Sequence, residues 1–223
     1  MSWVAAVALA HAAAAASSDD ATPCPRQPRM LVERFISAEC DTCWTNAATP
    51  PAPADAWLLD WIVPSDRGDE APLSAAAPAE AKERARRATG SAPPTQEALM
   101  HRTALAPAGK AGAARLSVAA GPAWNGYFGV QLDSRGRWPR GSTAWLALVE
   151  TIPLGTDGTP VARQLVRTVA GPIALDPRSP THRETRAMRW PETAKPERLR
   201  AMAWVESAGG MVLAFAHGRC GVR

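Results

Sequence analysis

Lysine is nearly missing from this chain: Lys82, Lys110 and Lys195 are the whole supply among 25 basic residues. No run of like charge forms either, because arginine is interspersed with 21 acidic side chains. The formal charge of +4 therefore reads as solvated surface rather than as a nucleic-acid face. A phosphate-cradling glycine loop, a Gly-x-Ser-x-Gly elbow and a basic–aromatic stacking motif are all lacking. Kinase, hydrolase and nucleic-acid readings start from nothing, and no cofactor is expected. The apolar stretch at the start is too short and alanine-rich for the ~20 residues that cross a bilayer. No second candidate exists, so no membrane span is expected, and no repeat recurs at a fixed period.

What is present is an ordinary globular composition, 46% hydrophobic and 21% charged, long enough to bury a real core. Cysteine is scarce, with four residues, but their placement is informative. Cys40-Asp41-Thr42-Cys43 follows the short apolar segment 31–37. Three-residue spacing puts two sulfurs on one side of a turn, close enough to bond or to share a metal. A strand feeding such a turn is how thioredoxin-like domains present a redox pair.

Residues 1–16 are apolar and end in Ala14-Ala15-Ala16 before Ser17, the small-residue pattern of a secretory signal, although no basic residue precedes them. The expected location is periplasmic or otherwise exported. An oxidising compartment favours disulfides, and four cysteines allow three pairings. Cys40–Cys43 is the local pair, which leaves Cys24 and Cys220 to join the ends of the mature chain. That outer link would stabilise by roughly 5 kcal/mol in the chain-entropy model, far more than the small inner ring.

Residues 31–37 and 57–63 have strand length and composition, and Pro50, Pro51 and Pro53 bar a helix from the segment between them. Residues 77–88 are strong helix formers with proline in the first turn. The small residues of 106–114 read as a linker. Beyond it, segments 115–119, 127–132, 144–151, 161–169, 185–190, 198–206 and 211–217 are short and β-rich. Turn signals such as Asn125-Gly126 and Asp157-Gly158 separate them. The expected fold class is α+β: a small α/β half over 17–105, then an antiparallel β-sandwich half over 115–223.

The stretch from Leu31 to Cys43, the segment from Trp57 through Gly68-Asp69 to Pro72-Leu73-Ser74, and the part from Trp145 to Arg167 resemble an exported bacterial thioredoxin-like family of uncharacterised function. The resemblance implies a degenerate thioredoxin-like half carrying an Ig-like sandwich. It implies thiol–disulfide exchange with a thiol- or disulfide-containing protein, Cys40 attacking and Cys43 resolving. The long helix expected after Cys43 is replaced by a proline-rich loop. The cis-proline that faces the pair in that family has its best candidate in Pro94, within Pro93-Pro94-Thr95.

An active dithiol needs a stabilised thiolate, and Glu39 and Asp41 beside Cys40 work against one. A non-catalytic envelope-binding or structural module, its Cys40–Cys43 bridge merely fixing a loop, is the alternative. Asp60 interrupts an apolar run and is a candidate for proton transfer near the pair, against the plainer reading that an arginine pairs with it. Glu33 admits the same two readings, an exposed strand position being favoured. His217 and Cys220 with Cys40 and Cys43 have the ligand types of a Cys₃His zinc site, although an oxidising compartment favours disulfides and no metal is expected. His101 and His182 have no partner at ligand spacing. Among nine tryptophans, Trp124 and Trp138 with Tyr127 offer an aromatic patch, with core packing the stronger reading. Oligomeric state is left open.

Overall fold

The computed structural model describes residues 28–51, 53–106 and 114–218. The expected signal segment, Cys24, Cys220 and most of the expected linker lie outside them. Ten strands and two α-helices form among the described residues. In chain order they are β1 Met30–Ser37, α1 Asp41–Thr45, β2 Ala56–Val63, α2 Ala81–Thr89, β3 Leu99–Ala104, β4 Arg115–Trp124, β5 Tyr127–Arg135, β6 Thr143–Ile152, β7 Arg163–Ala174, β8 Thr181–Arg189, β9 Leu199–Glu206 and β10 Val212–His217.

Most strands fall where apolar runs and turn residues put them. Asn125 and Gly126 both take positive φ, 46° and 79°, the backbone that a two-residue hairpin needs to follow strand twist. They join β4 to β5, and Trp124 pairs with Tyr127 across the turn. Helix α2 starts at Ala81, four residues later than the composition suggests, because residues 78–81 close a turn of their own. Gly90 ends it in the left-handed conformation, φ 80°, its N–H reaching the Arg86 carbonyl at 2.8 Å. Strand β3 was not expected: its half-buried, polar sequence lacks an apolar run, and pairing with β1 creates it.

The strands make a seven-stranded sheet in the order β10-β9-β6-β7-β2-β1-β3 and a three-stranded sheet in the order β4-β5-β8. The pairings of β1 with β2 and of β2 with β7 are parallel, while β3 runs antiparallel to β1. The large sheet curls until its edges meet. Leu105, just past β3, bridges to Val212 of β10, and the Ala106 N–H donates to the Val212 carbonyl at 2.8 Å.

The β-rich second part does build two packed antiparallel layers, with β10-β9-β6-β7 lying on β4-β5-β8. Their shared core includes Leu116, Val130, Leu132, Leu146, Leu148, Met188 and Val205. The expected boundary at 106–114 does not separate two sheets, however. Strands β1 to β3 continue the same sheet, because β2 offers its open edge to β7 with Asp60 opposite Leu165. An exposed edge is a pairing liability, and this junction removes one from each part.

Alternation along the strands divides the sheet into two faces. One packs Leu31, Phe35, Leu59, Trp61, Trp145 and Trp204 with Ala81 and Ala85 of α2. The other carries the sandwich core and, beside it, a cluster of Ile36, Cys40, Trp44, Ile62, Ile152 and Leu165.

Both faces of β1 are thus covered, so its two charged residues are buried. Glu33, expected at the surface, is 0% exposed. Arg84 of α2 holds it through Nε at 2.8 Å and Nη2 at 2.6 Å. The third arm of Arg84, Nη1, reaches Glu206 at 2.6 Å, and Trp145 and Trp204 donate to the same carboxylate. Burial alone would lower the Arg84 pKa, but the two carboxylates reverse that and raise it above the ordinary guanidinium value.

Candidate functional site

The cysteine pair sits just past the carboxyl end of β1. Strand β1 ends at Ser37, the chain turns over Ala38 and Glu39, and Cys40 caps α1. The Cys43 N–H points at Cys40, 3.2 Å from its sulfur and 3.1 Å from its carbonyl oxygen. The Thr42 hydroxyl lies 3.5 Å from the same sulfur. Cys40 and Cys43 are joined as a disulfide, with Cα atoms 5.2 Å apart.

The two sulfurs have different surroundings. Cys40 is 1% exposed and belongs to the Ile36, Trp44 and Ile62 cluster. Cys43 is half-buried and borders an open pocket of about 390 Å³ with Thr42, Asn46, Thr49, Pro50 and Glu97. Of the two, Cys43 is the more exposed, because the turn from β1 tucks Cys40 against the sheet.

Under the pair lies a buried charge cluster. Asp60 of β2 stands opposite Arg34 of β1 in the parallel register and accepts from Arg34 Nε at 2.5 Å. It also accepts from the Gln164 N–H at 2.9 Å and lies 3.5 Å from Arg163 Nη1. Arg163 spends its other donors on the loop that carries the pair. Its Nη2 reaches the carbonyls of Cys43 at 3.1 Å and Trp44 at 2.8 Å, and Nε reaches Thr159 Oγ1 at 2.9 Å. Its guanidinium lies over the Trp44 ring, 4.9 Å from the centroid. Burial pulls the Arg163 pKa below its usual value, Asp60 pushes it back, and nearby Arg34 adds to the depression.

The plainer reading of Asp60 is therefore the one realised: it pairs with arginine, twice. Neither sulfur is among its hydrogen-bonding partners. Its link to the pair runs through Arg163. The 156–159 hairpin fastens the other side, its Asp157 carbonyl accepting from Trp44 Nε1 at 2.9 Å. The Asp157 carboxylate is held by Lys195 and Arg198, each at 2.6 Å. The hydrogen bond from Lys195 lowers its pKa most, burial opposes it, and the Arg198 hydrogen bond and the two positive charges leave the net shift downward.

Other candidates are dispersed. Pro94 is not a cis-proline; among the described residues the cis peptide bond is Gly171–Pro172. It lies in β7 nine residues beyond Arg163, roughly 30 Å away along an extended strand. Cys24 and Cys220 fall outside the described residues, so the outer disulfide is not described. In the zinc alternative Cys40 and Cys43 would be thiolate ligands, but here their sulfurs are spent on each other. The aromatic patch is split, with Trp138 buried in the sandwich core and Trp124 and Tyr127 exposed around their hairpin. His101 meets Thr103 along β3, and His182 stands on β8. The residues that sequence reasoning missed are Arg34, Arg163 and Thr159. An arginine inside the apolar run of β1 was a readable signal, but Arg163 opens a strand like any solvated residue.

No family model, curated protein or solved structure matches the chain.

Proposed function

We propose that this is a thioredoxin-like protein that exchanges thiols and disulfides with a partner protein through Cys43 and Cys40, in an exported setting. The observation that carries the reading is the asymmetry of the pair: Cys43 borders an open pocket while Cys40 is shielded and hydrogen-bonded. The placement of the pair at the end of a strand running parallel to β2, with a helical turn following, supports the architecture. The disulfide suits an oxidising compartment.

In the exchange, a partner thiolate attacks the Cys43 sulfur, the Cys40–Cys43 bond breaks, and Cys40 departs as a thiolate. The Cys43 N–H and the Thr42 hydroxyl are placed to receive that charge. A second partner thiolate then attacks the partner's own sulfur in the mixed disulfide and releases Cys43. Two partner thiols become one disulfide, and two electrons pass to the cysteine pair.

A second reading is a binding or structural module whose bridge only fixes the loop. The fastening of Cys43 and Trp44 by Arg163 favours it, since a pinned loop holds its shape without any chemistry. The reduction potential of the pair in the intact protein separates the two. A potential above about −300 mV supports exchange, whereas one well below it leaves the structural reading. Under the exchange reading, Cys40→Ser traps a partner as a mixed disulfide on Cys43, and Cys43→Ser traps none.

A further inference from the structure

We propose that the open pocket between the amino-terminal ends of β2 and β7 binds a small organic acid with an apolar body, its carboxylate held by Arg34. This goes beyond the exchange reading and needs neither cysteine.

The charges under the pair do not balance. Arg34 and Arg163 share the single carboxylate of Asp60. Every nitrogen of Arg163 has an acceptor: Thr159 at Nε, Asp60 at Nη1, and the Cys43 and Trp44 carbonyls at Nη2. Arg34 gives Nε to Asp60 and Nη1 to the Pro50 carbonyl at 3.4 Å, while its buried Nη2 has no partner among the described residues. The excess positive charge and the spare donor thus fall on one side chain, itself only 3% exposed. Burying a guanidinium without a full set of acceptors is unfavourable, and an anion is the group that corrects it.

Arg34 lines an open pocket of about 800 Å³, within the size range of small-molecule sites. The pocket exists because β2 and β7 are in register only at Asp60 and Leu165. On the amino-terminal side of that pair Trp57, Leu58, Leu154, Val161 and Met202 supply apolar lining. No aspartate or glutamate lies among the described lining residues. Arg34 also borders the neighbouring pocket at Cys43, whose one carboxylate, Glu97, is exposed and is not among the hydrogen-bond or ion-pair partners of Arg34. Arg34 shares the lining with Thr49, Thr151, Gln164 and His217 among the apolar side chains, a mixture that suits a monocarboxylate carrying a hydrocarbon body.

Isothermal titration calorimetry of the full chain with octanoate, against octanol as the neutral isostere, tests the proposal. Octanoate should bind one per chain and about tenfold or more tighter than octanol, since a charge-assisted bond distinguishes them. Filling the pocket with Val161→Trp should abolish octanoate binding while the far-ultraviolet dichroism stays unchanged. Arg34→Met should remove the preference for the acid; because it also strips Asp60 of a partner, Val161→Trp keeps the test decisive if Arg34→Met does not fold. Equal affinity for acid and alcohol, no binding of octanoate, or unchanged binding by Val161→Trp overturns the proposal. So does preferential binding of a free-carboxyl tripeptide such as Ala-Leu-Leu, which would make the occupant a peptide end.

Discussion

Arg163 lies 120 residues from Cys43 in the chain, yet its Nη2 donates to the Cys43 carbonyl oxygen at 3.1 Å. The same guanidinium meets Asp60 and Trp44. One buried side chain from the β-rich second part therefore holds the loop that the first part uses to present its cysteines.

Removing that side chain should be costly. Arg163→Met leaves Asp60 with Arg34 as its sole ionic partner and frees two carbonyls, so a loss of about 3–5 kcal/mol is expected. Urea denaturation with the disulfide kept oxidised measures it. Arg163→Lys should recover only part of the loss, because an ammonium cannot reach three directions as a guanidinium does. Full recovery by lysine would show that charge alone matters.

The second buried arginine makes a paired comparison. Arg84→Met strands Glu33 and Glu206 and is expected to destabilise by about 3–5 kcal/mol. Arg86→Ala, two residues away, breaks only an exposed pair with Glu83 and should change stability by less than about 0.5 kcal/mol. Thermal melts of the two variants side by side test the contrast.

Reduction of the Cys40–Cys43 bridge opens a small ring, so the chain-entropy contribution at stake is about 2 kcal/mol. The described fold should persist on reduction with a modestly lower melting temperature. After reduction, native alkylation by iodoacetamide should label Cys43 in Cys40→Ser at least about tenfold faster than Cys40 in Cys43→Ser, given the shielding of Cys40. Equal rates would contradict the asymmetry on which the exchange reading rests.

Acid should loosen the 156–159 hairpin. The Asp157 pKa is depressed in the folded chain by Lys195 and Arg198. Its stabilising contribution is therefore fully present above the unfolded carboxylate value near 3.9 and is lost as pH falls through the lower folded value. An Asp157 carboxyl titration by carbon-detected NMR should give a midpoint below about 3.9 in the wild type. Lys195→Ala should raise that midpoint, and a midpoint unmoved by the substitution would remove Lys195 as the cause.

Much of the local structure was legible in the chain itself. Apolar runs bounded by turn residues marked β1, β2 and most of the later strands, and alanine-rich composition marked α2, since propensity and periodicity act over a few neighbouring residues. Cys-x-x-Cys after a strand was enough to foretell a local sulfur pair. The tertiary structure alone decided that β2 would pair with β7, that β3 would form, and that Glu33 would be buried rather than wet. It also decided which cysteine faces outward and which arginines surround Asp60. Those outcomes depend on partners 26 to 120 residues apart. A charged side chain reads the same in sequence whether water or an opposite charge awaits it, and only the folded sheet determines which it meets.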